Sequence, residues 1–349
     1  MNAITATTQR ISIAMATYNG ATYLLDQLDS LAAQTLMPYE LVVTDDGSTD
    51  ATLEILDEFA RRAPFPVHIH RNPERLGYRD NFLKAARLCT GELIAFCDQD
   101  DVWSRDKLRV VAPVFADAEV LLAVHDATLV TEQLERIAHI RNPDCELPLA
   151  VQSVQLGFSM VFRADLPFAN NVARPHSDRD ADGSLMAHDQ WISFLTASLG
   201  KCRRIRQTLV LYRQHGNNTC GYGGGSNAHQ LLAKIALTKP SRYLHLHAHA
   251  CERAQIIRAL IATNTLSEPR RIRAEASIAS WEHYAGLLLL RAEINADKAS
   301  FLARQKHFLL ALFQLGYSRK YLGHKALLKD AFVSVFGTKI FTEILMSIK

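Results

Sequence analysis

The sequence lacks the long apolar runs of proteins anchored by a membrane-spanning helix. The longest runs of its last third, residues 285–290 and 308–313, fall far short of the roughly 20 residues that such a helix needs. Residues 1–10 are polar and threonine-rich, without the apolar stretch of a signal peptide. We therefore predict a cytoplasmic protein, with peripheral contact at the inner face of the membrane as an open alternative.

Cysteine is also sparse. Six cysteines are scattered along 349 residues and form no C-x-x-C pair, which leaves no paired-cysteine motif. We expect reduced, mostly buried thiols.

Charge is distributed unevenly, although the formal net charge is only +3. Residues 1–229 hold 21 Lys/Arg against 28 Asp/Glu, whereas residues 230–349 hold 18 against 8. The basic carboxy-terminal part is therefore the candidate surface for an anionic membrane. No feature points to a nucleic-acid partner, and we predict none.

Strand and helix patterns alternate along the first hundred residues. Apolar runs at 11–17, 41–43, 67–70 and 93–96 read as strands, separated by helical patterns at 22–34, 53–62 and 81–88. This alternation predicts an α/β fold with a mostly parallel sheet flanked by helices.

The rest of the chain falls into two parts. Further strands are predicted at 120–130, 158–162 and 206–212, with helices at 107–116 and 190–199 and a long connection at 131–152. Four glycines among residues 221–225 mark a boundary. We predict a first domain over 1–225 and a basic helical extension over 226–349.

Two strand ends are acidic. Residues 97–103, CDQDDVW, follow the buried strand 93–96, where an unpaired buried charge would be costly. Carboxylates at the carboxyl end of such a strand favour a divalent cation shared with phosphate oxygens. Residues 44–50, TDDGSTD, end another strand; they suit a nucleoside contact or, alternatively, an ordinary Asp-Gly turn with a helix cap.

These segments resemble the successive sequence blocks of the family 2 glycosyltransferases. The blocks are ATYN at 16–19, VTDDGS at 43–48, Asn81 with Phe82, and FCDQDDVW at 96–103, and the resemblance covers roughly residues 10–220. It implies a GT-A fold, which is a Rossmann-like domain for nucleotide-diphosphate sugars. A Gly-rich phosphate loop, which a sugar nucleotidyltransferase would need, is missing after the first strand.

The resemblance also implies roles for individual residues. Asp100 would ligate Mg²⁺ or Mn²⁺ on the diphosphate, supported by Asp101, and Asp46 would hydrogen-bond the base. The other residues expected on the donor side are Thr17, Tyr18, Asn19, Asn81, Asp98, Arg213 and His215. A structural histidine beside a surface arginine is the alternative for the last two.

The resemblance places the general base in AHDQW, residues 187–191. Asp189 would deprotonate the acceptor hydroxyl, although a plain helix N-cap fits the same spacing. Trp191 and Ser159 are the candidates on the acceptor side, whereas Phe158 and Met160 suit core packing. The chain is thus expected to be an inverting glycosyltransferase in cell-surface polysaccharide synthesis, with dTDP-rhamnose as the suggested donor; a non-catalytic sugar-nucleotide sensor or scaffold is the alternative.

Overall fold

The computed structural model describes most of the chain, in two compact units. The described residues are 9–143, 145, 155–169, 172–177, 183–216, 218, 239–318 and 321–347. One unit comprises Met1–Glu146, Ser153–Asn171 and Met186–Gly221, and the other comprises Leu147–Gln152, Val172–Leu185 and Tyr222–Lys349. The predicted glycine-rich boundary at 221–225 lies outside the described residues, so the domain limits stay a prediction.

The described part of the first unit forms a nine-stranded sheet in the order β3-β2-β1-β4-β8-β6-β9-β5, with β7 pairing to β6. The strands are β1 Ile11–Thr17, β2 Glu40–Asp45, β3 Val67–Arg71, β4 Leu93–Cys97, β5 Val102–Trp103, β6 Val120–Val130, β7 Arg136–Ile140, β8 Val161–Arg163 and β9 Lys201–Arg213. The first four strands are parallel to one another. The α/β prediction is confirmed, and β8 begins a half in which parallel and antiparallel pairs are mixed.

Helices connect these strands in the first unit. They are α1 Leu24–Ala32, α2 Thr52–Arg62, α3 Tyr78–Leu88, α4 Lys107–Val111 and α5 His188–Leu199. Every side chain of β1 and of β4 is buried, as expected when both faces of a parallel sheet are covered. Rigid central strands with short connections therefore fix the loops at their carboxyl ends.

Three predictions need correction. The expected connection at 131–152 contains β7, which is mostly exposed and so lacks a buried face that sequence reasoning detects. The expected strand 158–162 begins as a 3-10 turn, Gly157–Ser159, because the Ser159 hydroxyl and amide both bond the Leu156 carbonyl. Cys145 and Cys202 form a disulfide instead of remaining reduced, and their separation of 57 residues hides the pair in the sequence.

The described part of the second unit is largely helical. Its helices are α6 Pro240–Ala262, α7 Glu268–Ile294, α8 Phe301–Phe313 and α9 Gly323–Ser347, the last interrupted at Gly337. Pro240 and Pro269 stand in the first turns of α6 and α7, where a missing amide hydrogen costs nothing. Within the described residues, no helix is both long and apolar enough to cross a bilayer.

Candidate active site

The loops that follow β1, β2 and β4 come from neighbouring strands at one edge of the sheet. Strand β1 lies between β2 and β4, so the strand order reverses beside it. In open α/β sheets, ligands bind at this reversal, outside the carboxyl ends of the strands. All donor-side residues predicted from the first four strands lie on or beside these loops.

The loop after β1 is held by amide side chains. Gln99 accepts from the Tyr18 amide at 2.9 Å and donates to the Tyr18 carbonyl at 3.1 Å. Asn19 has a left-handed φ of 47°, and its side-chain oxygen accepts from the Thr49 amide at 2.8 Å. The Tyr18 ring stays exposed, with the Arg75 guanidinium 4.0 Å from its centroid.

Asp46 binds a protein loop. Its carboxylate accepts from the Leu76 amide at 2.6 Å, the Gly77 amide at 2.7 Å and the Asn72 side chain at 3.0 Å. These bonds fix the segment that carries Arg75 over Tyr18. A direct contact between Asp46 and a nucleobase stays a prediction, since it would have to compete with them.

Thr17 and Asn81 are buried beneath these loops. The Thr17 hydroxyl donates to Asp45 at 2.9 Å. Asn81 donates to the Thr44 carbonyl at 2.9 Å and accepts from Asn72. Both side chains are therefore buried supports for the loops that are expected to bind the donor.

The turn after β4 concentrates negative charge. Burial and the charges of Asp100 and Asp189 raise the pKa of Asp98 to about 7. Burial and the charges of Asp100 and Asp98 also raise the pKa of Asp101 well above its usual value. Asp101 accepts from the Arg213 amide at 3.1 Å through one oxygen, and its other oxygen has no hydrogen-bond partner among the described residues. This arrangement can accommodate a cation.

Arg213 and His215, at the end of β9, contact this turn. The buried Arg213 guanidinium donates to the Asp100 carbonyl at 2.9 Å and to the Asp26 carboxylate at 2.7 Å. His215 Nε2 lies 2.8 Å from Asp100 Oδ2, and its ring packs on Tyr23. Two residues more than 110 positions away thus fix the orientation of Asp100.

Asp189 is at the start of α5. Its Oδ1 accepts from the Gln190 amide at 2.7 Å, which resembles the N-cap alternative, but the helix N-cap is Ala187. The Asp189 charge adds to burial and the Asp100 charge in raising the pKa of Asp98, and the ring of the neighbouring His188 lies 4.9 Å from that of Phe96, near the end of β4. The preceding His188 is buried against Phe82, with ring centroids 4.1 Å apart.

The two predicted acceptor-side residues are interior. Ser159 is fully buried, donates to the Leu156 carbonyl and accepts from Asn142 at 2.8 Å. Trp191 is 1% exposed and packs on Phe194. Neither residue is therefore part of the proposed acceptor site.

Sequence reasoning missed Lys107. It is completely buried, its Nζ lies 3.4 Å from the centroid of the Trp103 ring, and it donates to the Phe158 carbonyl at 2.8 Å. Burial lowers its pKa to about 7, although the charges of Cys97, Asp101 and Asp98 act in the opposite direction. Its position four residues after Trp103, at the first residue of a helix, looks like that of an ordinary surface lysine.

Comparisons with known proteins consistently point to glycosyltransferases. The family model for glycosyl transferase family 2 matches residues 12–161. An uncharacterised glycosyltransferase of Nostoc sp. is 27% identical over 68% of this chain and 74% of its own length. A dTDP-rhamnosyl transferase of Shigella flexneri is 29% identical over 59% of this chain and 73% of the relative.

A solved structure of Staphylococcus aureus TarS, in complex with UDP, superposes with a TM-score of 0.51 at 15% identity. The alignment covers 97% of this chain and 92% of that one. At this identity the likeness concerns the fold. Residues 12–161 therefore resemble glycosyl transferase family 2, and the first unit has the GT-A fold.

Proposed function

We propose that this chain transfers a sugar from a nucleotide-diphosphate sugar to a hydroxyl of a glycan or lipid-linked acceptor, with inversion, in polysaccharide synthesis. The observation that carries the proposal is that His188, next to Asp189, packs on Phe96 of β4 just before the acidic turn, with ring centroids 4.9 Å apart; the Asp189 charge adds to burial and Asp100 in raising the pKa of Asp98. A base and a donor site that share one space are what a direct displacement needs.

The acidic turn fits a divalent cation. No group of three His, Cys, Asp or Glu side chains suited to hold a metal is preformed among the described residues. Mg²⁺ and Mn²⁺ sites for phosphate substrates use one or two carboxylates, completed by phosphate oxygens and water. Asp100 and Asp98 supply hard oxygen ligands, and a cation would offset both the burial and the neighbouring negative charge that raise the pKa of Asp98. When bound, the cation would neutralise charge that develops on the departing nucleotide.

The other residues of the proposed site bind the nucleoside, hold Asp100 in place and accept the proton. The loops after β1 and β2 hold the nucleoside, with the Tyr18 ring and Arg75 at their surface. His215 and Arg213 hold Asp100 in place. Asp189 accepts the proton of the attacking hydroxyl, and one displacement assisted by one base inverts the anomeric configuration.

The test is a screen of nucleotide sugars by thermal shift with Mn²⁺ and, separately, with Mg²⁺, followed by transfer to lipid-linked and free glycan acceptors. dTDP-rhamnose is the first donor to test, supported by the name of the Shigella relative. We expect one donor to raise Tm, and that donor to be consumed only when an acceptor is present. Donor binding without transfer to any acceptor would favour the alternative of a non-catalytic sensor or scaffold.

The second unit supports membrane contact in this proposal. Helix α8 exposes Leu302, Leu309 and Phe313 by 77%, 47% and 82%. Their spacing of seven and four residues places them on one helix face, opposite the buried Ala311. An apolar stripe in a segment with ten more basic than acidic residues suits an anionic lipid surface.

Sedimentation with vesicles tests this contact. We expect the wild type to bind phosphatidylglycerol-containing vesicles, and Leu302→Glu with Phe313→Glu to abolish binding. Ile137→Glu, at a 53% exposed apolar position of β7, is the matched control and should leave binding intact. Equal binding by all three proteins would remove α8 from the proposal.

A further inference from the structure

Lys107 is buried at a position where a lysine is unfavourable for packing. Its side chain is fully buried, with the ammonium over the Trp103 ring and a hydrogen bond to the Phe158 carbonyl. Removing an ammonium from water is costly unless charged or polar partners compensate. A methionine would fill the same slot without this cost, so packing alone does not explain a lysine here.

The compensating charges belong to the acidic turn. The carboxylates of Asp98 and Asp101 favour the charged form of Lys107, and Lys107 in turn favours their ionised forms. The ammonium lies over the ring of Trp103, which ends the acidic segment 97–103 that the proposed function assigns to the donor and its cation. It also lies near the thiol of Cys97 and near His125 of β6.

The hydrogen bond of Lys107 joins it to another turn, the 3-10 turn Gly157–Ser159. This turn packs tightly against the beginning of α5. A Cβ atom added at Gly157 would lie 2.7 Å from His188 Nε2 and 3.7 Å from the Cβ of Asp189. Any shift of the turn is therefore transmitted to the residues that carry the proposed base.

We propose that Lys107 is a positioning residue, which joins the acidic turn after β4 to the turn that supports Asp189 and so sets the spacing between donor and base. This inference rests on the proposed function, because spacing matters only for a transfer reaction. It assigns to Lys107 no contact with the substrate. A small error in the spacing of reacting groups is costly even when binding is intact.

The test replaces Lys107 by methionine, which keeps an unbranched stem over Trp103 and removes both the charge and the hydrogen bond. We expect kcat to fall by about 10- to 100-fold, with the Kd for the nucleotide and the Tm unchanged. Lys329→Met is the matched control: Lys329 is also buried, contacts Tyr243 in the second unit, and should leave kcat unchanged. A wild-type kcat in Lys107→Met would overturn the proposal, and so would a loss of kcat that merely follows a loss of Tm.

Hydrogen exchange measured by mass spectrometry gives a readout without any substrate. In Lys107→Met, peptides over residues 155–161 and 187–192 should exchange about tenfold faster, while peptides of α1 and α2 remain unchanged. Unchanged exchange at 155–161 would contradict the link through Phe158. If the wild type transfers no sugar, the proposed function fails, and the exchange result still decides whether Lys107 holds these two turns.

Discussion

Two acidic turns follow neighbouring parallel strands of the same sheet, and they use their carboxylates differently. After β2, Asp45 accepts from Thr17 and from the Gly47 and Ser48 amides, and Asp46 accepts from three donors of the 72–77 segment. After β4, burial and then repulsion from neighbouring carboxylates raise the pKa of Asp98 and of Asp101. The carboxylates of the first turn close loops, whereas the protein disfavours the ionised forms of Asp98 and Asp101 in the second turn. Identical residue types at equivalent strand ends thus serve as scaffold in one place and, in the proposed function, as ligands in the other.

The largest expected effect concerns Asp189 of α5, whose charge affects the pKa of Asp98 in the second turn. Asp189→Asn retains an oxygen for the Gln190 amide and removes the base, so kcat should fall by about 10²- to 10⁴-fold. Initial-rate kinetics with saturating donor measures this. The exposed Asp165→Asn serves as control. A kcat close to that of the wild type would exclude Asp189 as the base.

A smaller effect is expected where β9 supports the second turn. His215→Gln removes the ring nitrogen 2.8 Å from Asp100, and loss of such an orienting partner typically weakens metal affinity by about 10- to 100-fold. Titration calorimetry of Mn²⁺ in the presence of the nucleotide measures the loss. If the affinity is unchanged, His215 is a structural histidine and the second turn binds its cation without help from β9.

The sequence predicts the first four strands and both acidic turns well, because each strand is a short apolar run that ends at polar residues. It does not distinguish the two turns from each other. The difference depends on residues distant in the chain: Leu76 and Gly77 bond Asp46 from 30 and 31 positions away, and Arg213 bonds Asp101 from 112 positions away.

Burial of polar side chains was the other limit of prediction. Ser159 looks like a candidate for contact with an acceptor, but its hydroxyl closes a turn in the interior. Lys107 looks like a surface residue and is buried because an aromatic ring, a carbonyl and two carboxylates converge on it. Such convergence is set by tertiary packing and leaves no local pattern.

The raised pKa of Asp98 in the second turn also predicts that the stability of the fold depends on pH. The pKa of Asp98 rises from 3.8 to about 7 on folding, so between these values the folded state holds a proton that the unfolded chain has released. Raising the pH through this window therefore lowers the free energy of unfolding, by at most about 1.4 kcal/mol per pH unit. Denaturant unfolding in chelator should show this decline in the wild type and a weaker one in Asp98→Asn. Equal slopes would mean that Asp98 is not strained by its neighbours.

A substitution in the first turn should lower the free energy of unfolding and hardly change kcat. Asp46→Asn keeps the size of the side chain but replaces one acceptor by a donor facing the Leu76 or Gly77 amide, which leaves a partly buried amide without its partner. Such a loss costs about 1 kcal/mol of folding free energy. We expect urea unfolding to detect this loss while kcat at saturating donor stays near the wild-type value. The opposite result, intact stability with a raised KM for the donor, would show that Asp46 reads the nucleobase directly. It would also place both acidic turns in the ligand site, and the contrast between them would then be one of degree.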